Sequence, residues 1–469
     1  MFAEIYNLYN MKMKIASRLF LLSVLLLAYG ATHAQTTSDS LKLAFARLDS
    51  LKAATTPAKT SSTITVGLDM RTRTEFRHGY RTIPTQDTSG AFFTNHRTRI
   101  NFDYKSKKLD AYISLQDTRI WGQQDPRETT PSSTVSTYLF EAYAEPHITD
   151  KFSIRIGRQR IMYDNQRLFA ENDWRLQGNS HDAFRLIFNN KINLNTELTW
   201  AFNQSGENTF TTNYKPNGFP NYKTLLVHYL NYKASKTITL TTINAADGFQ
   251  SSDPLRYTTT NMRFTSGGRL EYSSYNWYAT FSGYYQYGKD SSGKKLGAYY
   301  IQPELKYTGK KFTTRLGFEY LSGADTSTHP TIDKNFVPLY GVAHRFMGNM
   351  DFFTTFPSDV NGAGLFNPYL FFQYQNTNKK WMVRMENHLF YSQSQFVYKG
   401  TKENKYLGFE NDWRVNYKPN SNVDCEFGFC WASVTNSMTL IKKAGDPKTT
   451  PYWTYLSLKF TPTFFKSSF

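Results

Sequence analysis

The chain has 469 residues, of which 20% are charged, and its mean hydropathy is −0.55. That excludes a bundle of apolar membrane helices. Two cysteines cannot build a disulfide framework, and no CxxC or Cys/His cluster suggests a zinc site. The net charge of +18 raises nucleic-acid binding, a question of where the charge sits.

Lys12, Lys14 and Arg18 form a positive region before an apolar run from Leu19 to Tyr29. The run is too short to span a bilayer, and small residues follow up to Ala34. Residues 1–34 read as a secretory signal peptide with a start at Met11 or Met13. Export removes the chain from the genome, so no nucleic-acid partner is expected. Residues 35–62 read as a periplasmic leader. Leu41, Phe45, Leu48 and Leu51 give it a short helical stripe.

From Thr63 the period changes to two. Ile64, Val66, Leu68 and Met70 alternate with Thr65, Gly67, Asp69 and Arg71. Arg97, Arg99, Asn101 and Asp103 alternate with Thr98, Ile100, Phe102 and Tyr104, and residues 406–417 repeat the pattern. Such strands have one apolar and one polar face. No helix-period segment is expected beyond residue 62. Short connections near 105–108, 146–151, 189–193, 233–236, 273–274, 308–311, 376–379 and 418–422 alternate with long ones. The long ones are roughly 77–96, 122–137, 164–181, 205–221, 250–260, 288–296, 324–359, 393–404 and 434–450. Residues 63–469 therefore read as an all-β, transmembrane antiparallel barrel of about eighteen strands, with short periplasmic turns and long extracellular loops. A sheet in lipid must close on itself, because lipid cannot satisfy an open edge. The 33 Tyr and 37 Phe supply interfacial girdles. The aromatic last strand, Tyr452–Phe460, and the terminal Phe469 resemble the signal that such barrels show to their assembly machinery. A soluble β-sandwich would need both sheets to bury an apolar face, and the alternation never inverts to allow that.

Gly157-Arg-Gln-Arg160, residues 163–168, Asp173-Trp174 and residues 181–186 resemble the signature segment of the alginate-export family of barrels. Phe336–Phe353 and Glu410-Asn-Asp412 with Asn416-Tyr417 resemble segments of its Bacteroidetes members. The resemblance implies an eighteen-stranded outer-membrane channel of a Gram-negative bacterium. The founding type passes an anionic polyuronate through an arginine-lined pore. This chain departs in its long, neutral, Tyr/Asn-rich loops.

Parity selects the candidate pore-lining residues: Arg71, Arg73, Arg97, Arg99, Asp103, Arg155, Arg185, Arg269, Arg315, Glu319, Arg384, Glu410, Asp412 and Arg414. Basic and acidic lumen positions are about equal in number, so much of the +18 belongs to turns, loops and leader. Ion pairs bracing the wall explain such a set as well as a charged pore does. Barrel closure is expected to bring Arg71, Arg97 and Arg99 near Glu410 and Asp412. Gly157, with a parity break at Arg158 and Arg160, is expected to form a bulge. The connection after it, with Arg158, Arg160, Arg167, Asp173, Arg175 and Asp182, is the candidate constriction loop. Alternatively Trp174 and Phe184 anchor it at the surface. His181 with Asp182 and His388 with Ser392 are the nearest approach to a catalytic set. Neighbours on a strand point apart, and no nucleophile or metalloprotease motif is present, so no enzyme, cofactor or metal is expected. The expected partners are outer-membrane lipid and a hydrophilic or anionic solute. A receptor or adhesin working through the loops is the alternative. Cys425 and Cys430 lie an odd number apart and are not expected to bridge.

Overall fold

The computed structural model describes residues 62–123, 137–207, 209–210, 221–251, 259–327 and 330–469. Residues 1–61, which include the segment read as a signal peptide and nearly all of the one read as a leader, lie outside the described residues. Eighteen strands form the wall: β1 (Thr63–His78), β2 (Ala91–Lys105), β3 (Leu109–Ile120), β4 (Thr137–Pro146), β5 (Phe152–Gln159), β6 (His181–Asn189), β7 (Leu194–Phe202), β8 (Thr224–Lys233), β9 (Ile238–Gln250), β10 (Thr260–Ser274), β11 (Trp277–Lys289), β12 (Lys295–Thr308), β13 (Phe312–Leu321), β14 (Leu365–Gln375), β15 (Trp381–Ser392), β16 (Tyr406–Asn420), β17 (Val423–Val434) and β18 (Tyr452–Phe460). Each pairs antiparallel with the next, and β18 closes on β1 from Met70↔Phe460 to His78↔Tyr452. Thr463–Ser468 extends that seam along the start of β1. The register shifts between Val66 and Gly67, where Phe464 is the extra residue, and just beyond it the Pro462 carbonyl accepts from Leu68 N at 3.0 Å.

The wall is inverted relative to a soluble protein. Leu240, Leu270, Phe281, Leu305, Leu316 and Leu456 are exposed, whereas Thr241, Arg269, Ser282, Glu319 and Ser457 between them are buried. The exposed set is the lipid face; the polar set faces an interior filled by protein. Aromatic pairs mark both rims. Trp277 with Tyr307 (4.9 Å) and Trp381 with Tyr417 (4.5 Å) sit toward the short turns. Phe264 with Tyr287 (5.3 Å) and Tyr391 with Tyr406 (5.2 Å) sit toward the long loops. Amphipathic rings are favoured at these depths.

Several expectations need correction. The connection expected at 288–296 is a tight loop, because β11 runs to Lys289 and β12 starts at Lys295. The segment 435–451 contains a helix, α1 (Asn436–Lys442). Thr435 caps it by accepting from Met438 N, and Met438 and Ile441 are buried, but two apolar positions are too few to show a period. Gly157 makes no bulge: β5 and β6 pair without a shift from Phe152↔Phe188 to Gln159↔His181. The bulge is on β4, where Ser114 faces Glu141 and Leu115 faces Leu139, leaving Phe140 extra. The largest departure is 336–353, which folds into the barrel instead of lying outside it.

Topology gives a direct test. A cysteine at exposed Lys448, in a long connection, should take an impermeant maleimide on intact cells. A cysteine at exposed Ser235, in a short turn, should react only after the outer membrane is opened. Equal labelling of both on intact cells would overturn the orientation.

Candidate functional site: two loops clasped inside the barrel

Two connections enter the interior: loop A, residues 160–180, and loop B, residues 330–364, the latter mainly through its part from Phe336 to Phe353. They pair with each other through backbone. Tyr340 N donates to Leu168 O at 2.9 Å, Ala170 N to Tyr340 O at 3.2 Å and Val342 N to Gln166 O at 3.1 Å. Gly341 permits this approach, since a Cβ there would overlap the Arg167 carbonyl. Phe169, Tyr340, Met347, Met350, Phe352 and Phe353 are all buried in a small apolar core within a polar tube.

Loop A is clasped to the arginines of β1 and β2. Asp173 accepts from Arg97 Nη1 at 2.6 Å and Arg99 Nη1 at 2.9 Å, and lies 3.8 Å from Arg71 Nη1. The same arginines hold the loop backbone. Arg71 donates to Asp173 O (2.8 Å) and Arg175 O (3.0 Å), and Arg73 donates to Trp174 O (3.0 Å). Arg97 also meets Asp69 at 2.9 Å. Burial alone would raise the Asp173 carboxyl. The guanidiniums of Arg97, Arg71 and Arg99 outweigh it and hold the carboxyl below the usual carboxylate range. Trp174 is not a surface anchor: it stacks on His344 of loop B at 3.9 Å and 9°. Phe184 is on the lipid face.

Loop B is clasped to the acids of β16. Met350 N donates to Glu410 Oε1 at 2.8 Å and Asn349 N to Asp412 Oδ2 at 3.0 Å. Gly348 allows it, as a Cβ would overlap the Glu410 carboxylate. Arg71, Arg97 and Arg99, expected near Glu410 and Asp412, take Asp173 and Asp69 as their ion-pair partners. Loop A brings its own acid to the basic wall, and loop B brings peptide N–H groups to the acidic wall.

A third contact ties both loops to β12 and β13. Arg167, 2% exposed, meets Glu319 at 2.7 Å and donates to Val342 O at 3.0 Å. Tyr300 donates to the same Glu319 oxygen at 2.6 Å. Arg160 bridges Glu141 (2.8 Å) and Glu171 (2.5 Å). Arg158 and Asp182 do not belong to the loop. They lie on β5 and β6 and pair with each other at 2.7 Å, largely exposed, on the opposite face from Gln159 and His181.

The remaining candidates have near partners. Arg73 meets Glu75 (2.8 Å), Arg155 meets Glu145 (2.6 Å) and Arg269 meets Glu271 (2.6 Å). Arg185 is 3.6 Å from Glu197 and Arg315 is 3.6 Å from Glu304. Arg384 (2.9 Å) and Arg414 (3.1 Å) share Glu386. Asp103 pairs with Lys105 at 3.3 Å near the short turns. His181 meets the Tyr222 hydroxyl and His388 meets Asn367. Cys425 and Cys430 are free thiols. Sequence parity missed Asp247 of β9, which holds Arg263 at 2.5 Å and the Tyr340 hydroxyl at 2.7 Å. It also missed all of loop B. The dense apolar residues of 346–353 were the available signal for that loop.

The model of the alginate export family matches residues 62–433. The chain belongs to that family. The solved structure of OccAB1 from Acinetobacter baumannii superposes with a TM-score of 0.59 at 10% identity, covering 86% of this chain and 97% of that one. The outer membrane protein OpdK from Pseudomonas aeruginosa gives 0.57 at 11%, covering 85% and 99%. A comparison with curated proteins returned no match. This alginate-export barrel is an outer-membrane, porin-like channel whose outer face meets lipid. A cavity of about 430 Å³ beside the loops carries Arg175 and Arg263 with Asp290 and Asp333, and two others are basic. One, of about 480 Å³, is lined by Arg73, Arg77, Arg81, Arg119 and Arg175, with Asp351 its one acid. The other, of about 180 Å³, is lined by Arg269, Lys306, Arg315, Arg345 and Glu304.

Proposed function

We propose that the barrel passes an anionic hydrophilic solute, an acidic polysaccharide of the uronate type, and that loops A and B are its gate. The observation that carries this reading is the pair of basic cavities. Among the described residues Arg81, Arg175 and Arg345 are in no ion pair; Arg81 and Arg175 line the first cavity and Arg345 the second. Unpaired guanidiniums in a low-dielectric tube attract anions and offer bidentate contacts to carboxylates. Family membership supports the same class of solute. The paired arginines act as the wall's braces and the loops' clasps. The aromatic β18 supports recognition by the assembly machinery, and nothing in this transport role requires a catalytic group.

Planar-bilayer recording tests the reading. Arg175→Glu with Arg345→Glu should move the reversal potential toward cation selectivity at low salt and weaken block by added polyuronate. The shift should fade near 1 M salt, where the Debye length is about 3 Å. Ile100→Val, on the lipid face, should change nothing. A double variant with the wild-type reversal potential at low salt would remove the anion route.

A further inference from the structure

We infer that β15 and β16 carry a binding site for one divalent transition-metal ion of the zinc type, held by His388, Glu386 and Asp412, beneath the tip of loop B. The register makes the cluster. Glu386 is opposite Asp412 and His388 is opposite Glu410, so three carboxylates and an imidazole form a square on the inner face of two strands. Glu386, His388 and Asp412 can each offer one ligand atom, with those atoms all within 4.8 Å of one another. All four residues are at most 3% exposed.

Three independent features point to a cation. The first is the tautomer of His388. Asn367 Nδ2 donates to Phe346 O at 2.8 Å, which fixes its amide orientation and leaves Oδ1 toward His388 Nδ1 at 3.1 Å. Nδ1 must then carry the proton, so Nε2 holds the lone pair. An imidazole ordered through its other nitrogen is the usual preparation of a metal ligand. The second is charge. Arg384 and Arg414 both go to Glu386, whereas Glu410 and Asp412 receive peptide N–H groups. Among the described residues neither Glu410 nor Asp412 has an ion-pair partner within 4 Å; such buried carboxylates are costly, and a bound cation offsets that cost. The third is the set of buried oxygens that receive no hydrogen bond of normal geometry from the described residues: Asp412 Oδ1, Glu410 Oε2 and Asn349 Oδ1, with the Cys430 thiol and the Glu410 carboxyl set against Asp412. Asn349 belongs to loop B, with its N on Asp412 and its Nδ2 3.3 Å from Glu386, so its amide lies against the cluster. One imidazole and two carboxylates suit zinc or cobalt better than calcium or magnesium. The ion would pin the tip of loop B and so couple the gate to metal supply.

The test is to refold the full-length chain in detergent with Co²⁺, desalt it, and measure bound cobalt and its visible absorption. One equivalent per chain is expected. His388→Ala and Asp412→Asn, each checked for the heat-modifiable gel shift of a closed barrel, should lose the absorption band. Asn367→Ala should weaken cobalt binding about tenfold. The competing occupant is a proton shared by Glu410 and Asp412. Wild-type protein that keeps no cobalt, or cobalt retained equally by His388→Ala and Asp412→Asn, would overturn the site.

Discussion

Asp173→Ala should open the channel. The carboxylate is the shared partner of Arg97 and Arg99 and lies beside Arg71. Its removal leaves three guanidiniums, each no more than 8% exposed, crowded with only Asp69 near Arg97. Breaking a buried pair by deleting one member costs about 3–5 kcal/mol, because the stranded charge stays desolvated. The wall strands are held by ladders on both sides, so loop A is the element free to yield. Single-channel conductance should rise several-fold, and trypsin should cut within 160–180 in the variant but not in wild type. Asp173→Glu, which keeps the charge, should fall between them. Unchanged conductance and protection in Asp173→Ala would show that the clasp does not hold the loop. The pH response has a definite sign. The folded carboxyl lies below its ordinary value, so its stabilisation is complete above the ordinary carboxylate pKa of about 4 and disappears only as pH falls through the lower folded value. The clasp should hold from pH 8 to 5 and release only in stronger acid.

How much of this was legible in the sequence depends on the period of the pattern. Residues 97–105 announce β2 because lipid on one side and polar groups on the other force strict alternation. Closure followed from the same argument, since lipid tolerates no edge. The infolding of loop A could be anticipated from its charges, but the identity of its partner could not. Parity says that Arg71, Arg97 and Arg99 point inward, not what comes to meet them. Asp173 reaches them across more than 70 positions of chain. Loop B was hidden for another reason. Its apolar residues have no regular spacing, because an irregular loop packs by shape rather than by period. Gly341 and Gly348 make sense only once a backbone and a carboxylate are seen pressed against them. Arg158 and Asp182 were misplaced because the expected bulge at Gly157 was drawn on the wrong strand, and Phe140 of β4 takes the extra residue instead.

The second large effect concerns Arg167, the only residue of loop A that meets Glu319. Both side chains are almost fully enclosed, with side-chain exposures of 2% and 0%. Arg167→Ala removes the cation and leaves Glu319 buried with the Tyr300 hydroxyl as its remaining donor. A cost of about 3–5 kcal/mol is expected, and since Arg167 also holds Val342 O, both loops are loosened together, with Asn165 on Gln302 left as a tie of loop A to β12. The resistance of the barrel to heat in detergent should fall, and channel noise should increase as loop B detaches. Glu319→Gln with Arg167→Met separates the two contributions. Replacing both charges by neutral groups of similar size avoids the stranded ion, so the double variant should recover most of the thermal stability that either single charge removal loses. Its loops should still open more readily than wild type, because methionine cannot reach back to Val342 with a hydrogen bond. If the double variant is as unstable as the sum of the single ones, the pair is not coupled and Arg167 acts through packing alone. If it is stable and closed, the salt bridge contributes nothing to gating, and the hold on loop B rests on its other contacts, among them those to Glu410, Asp412 and Asp247.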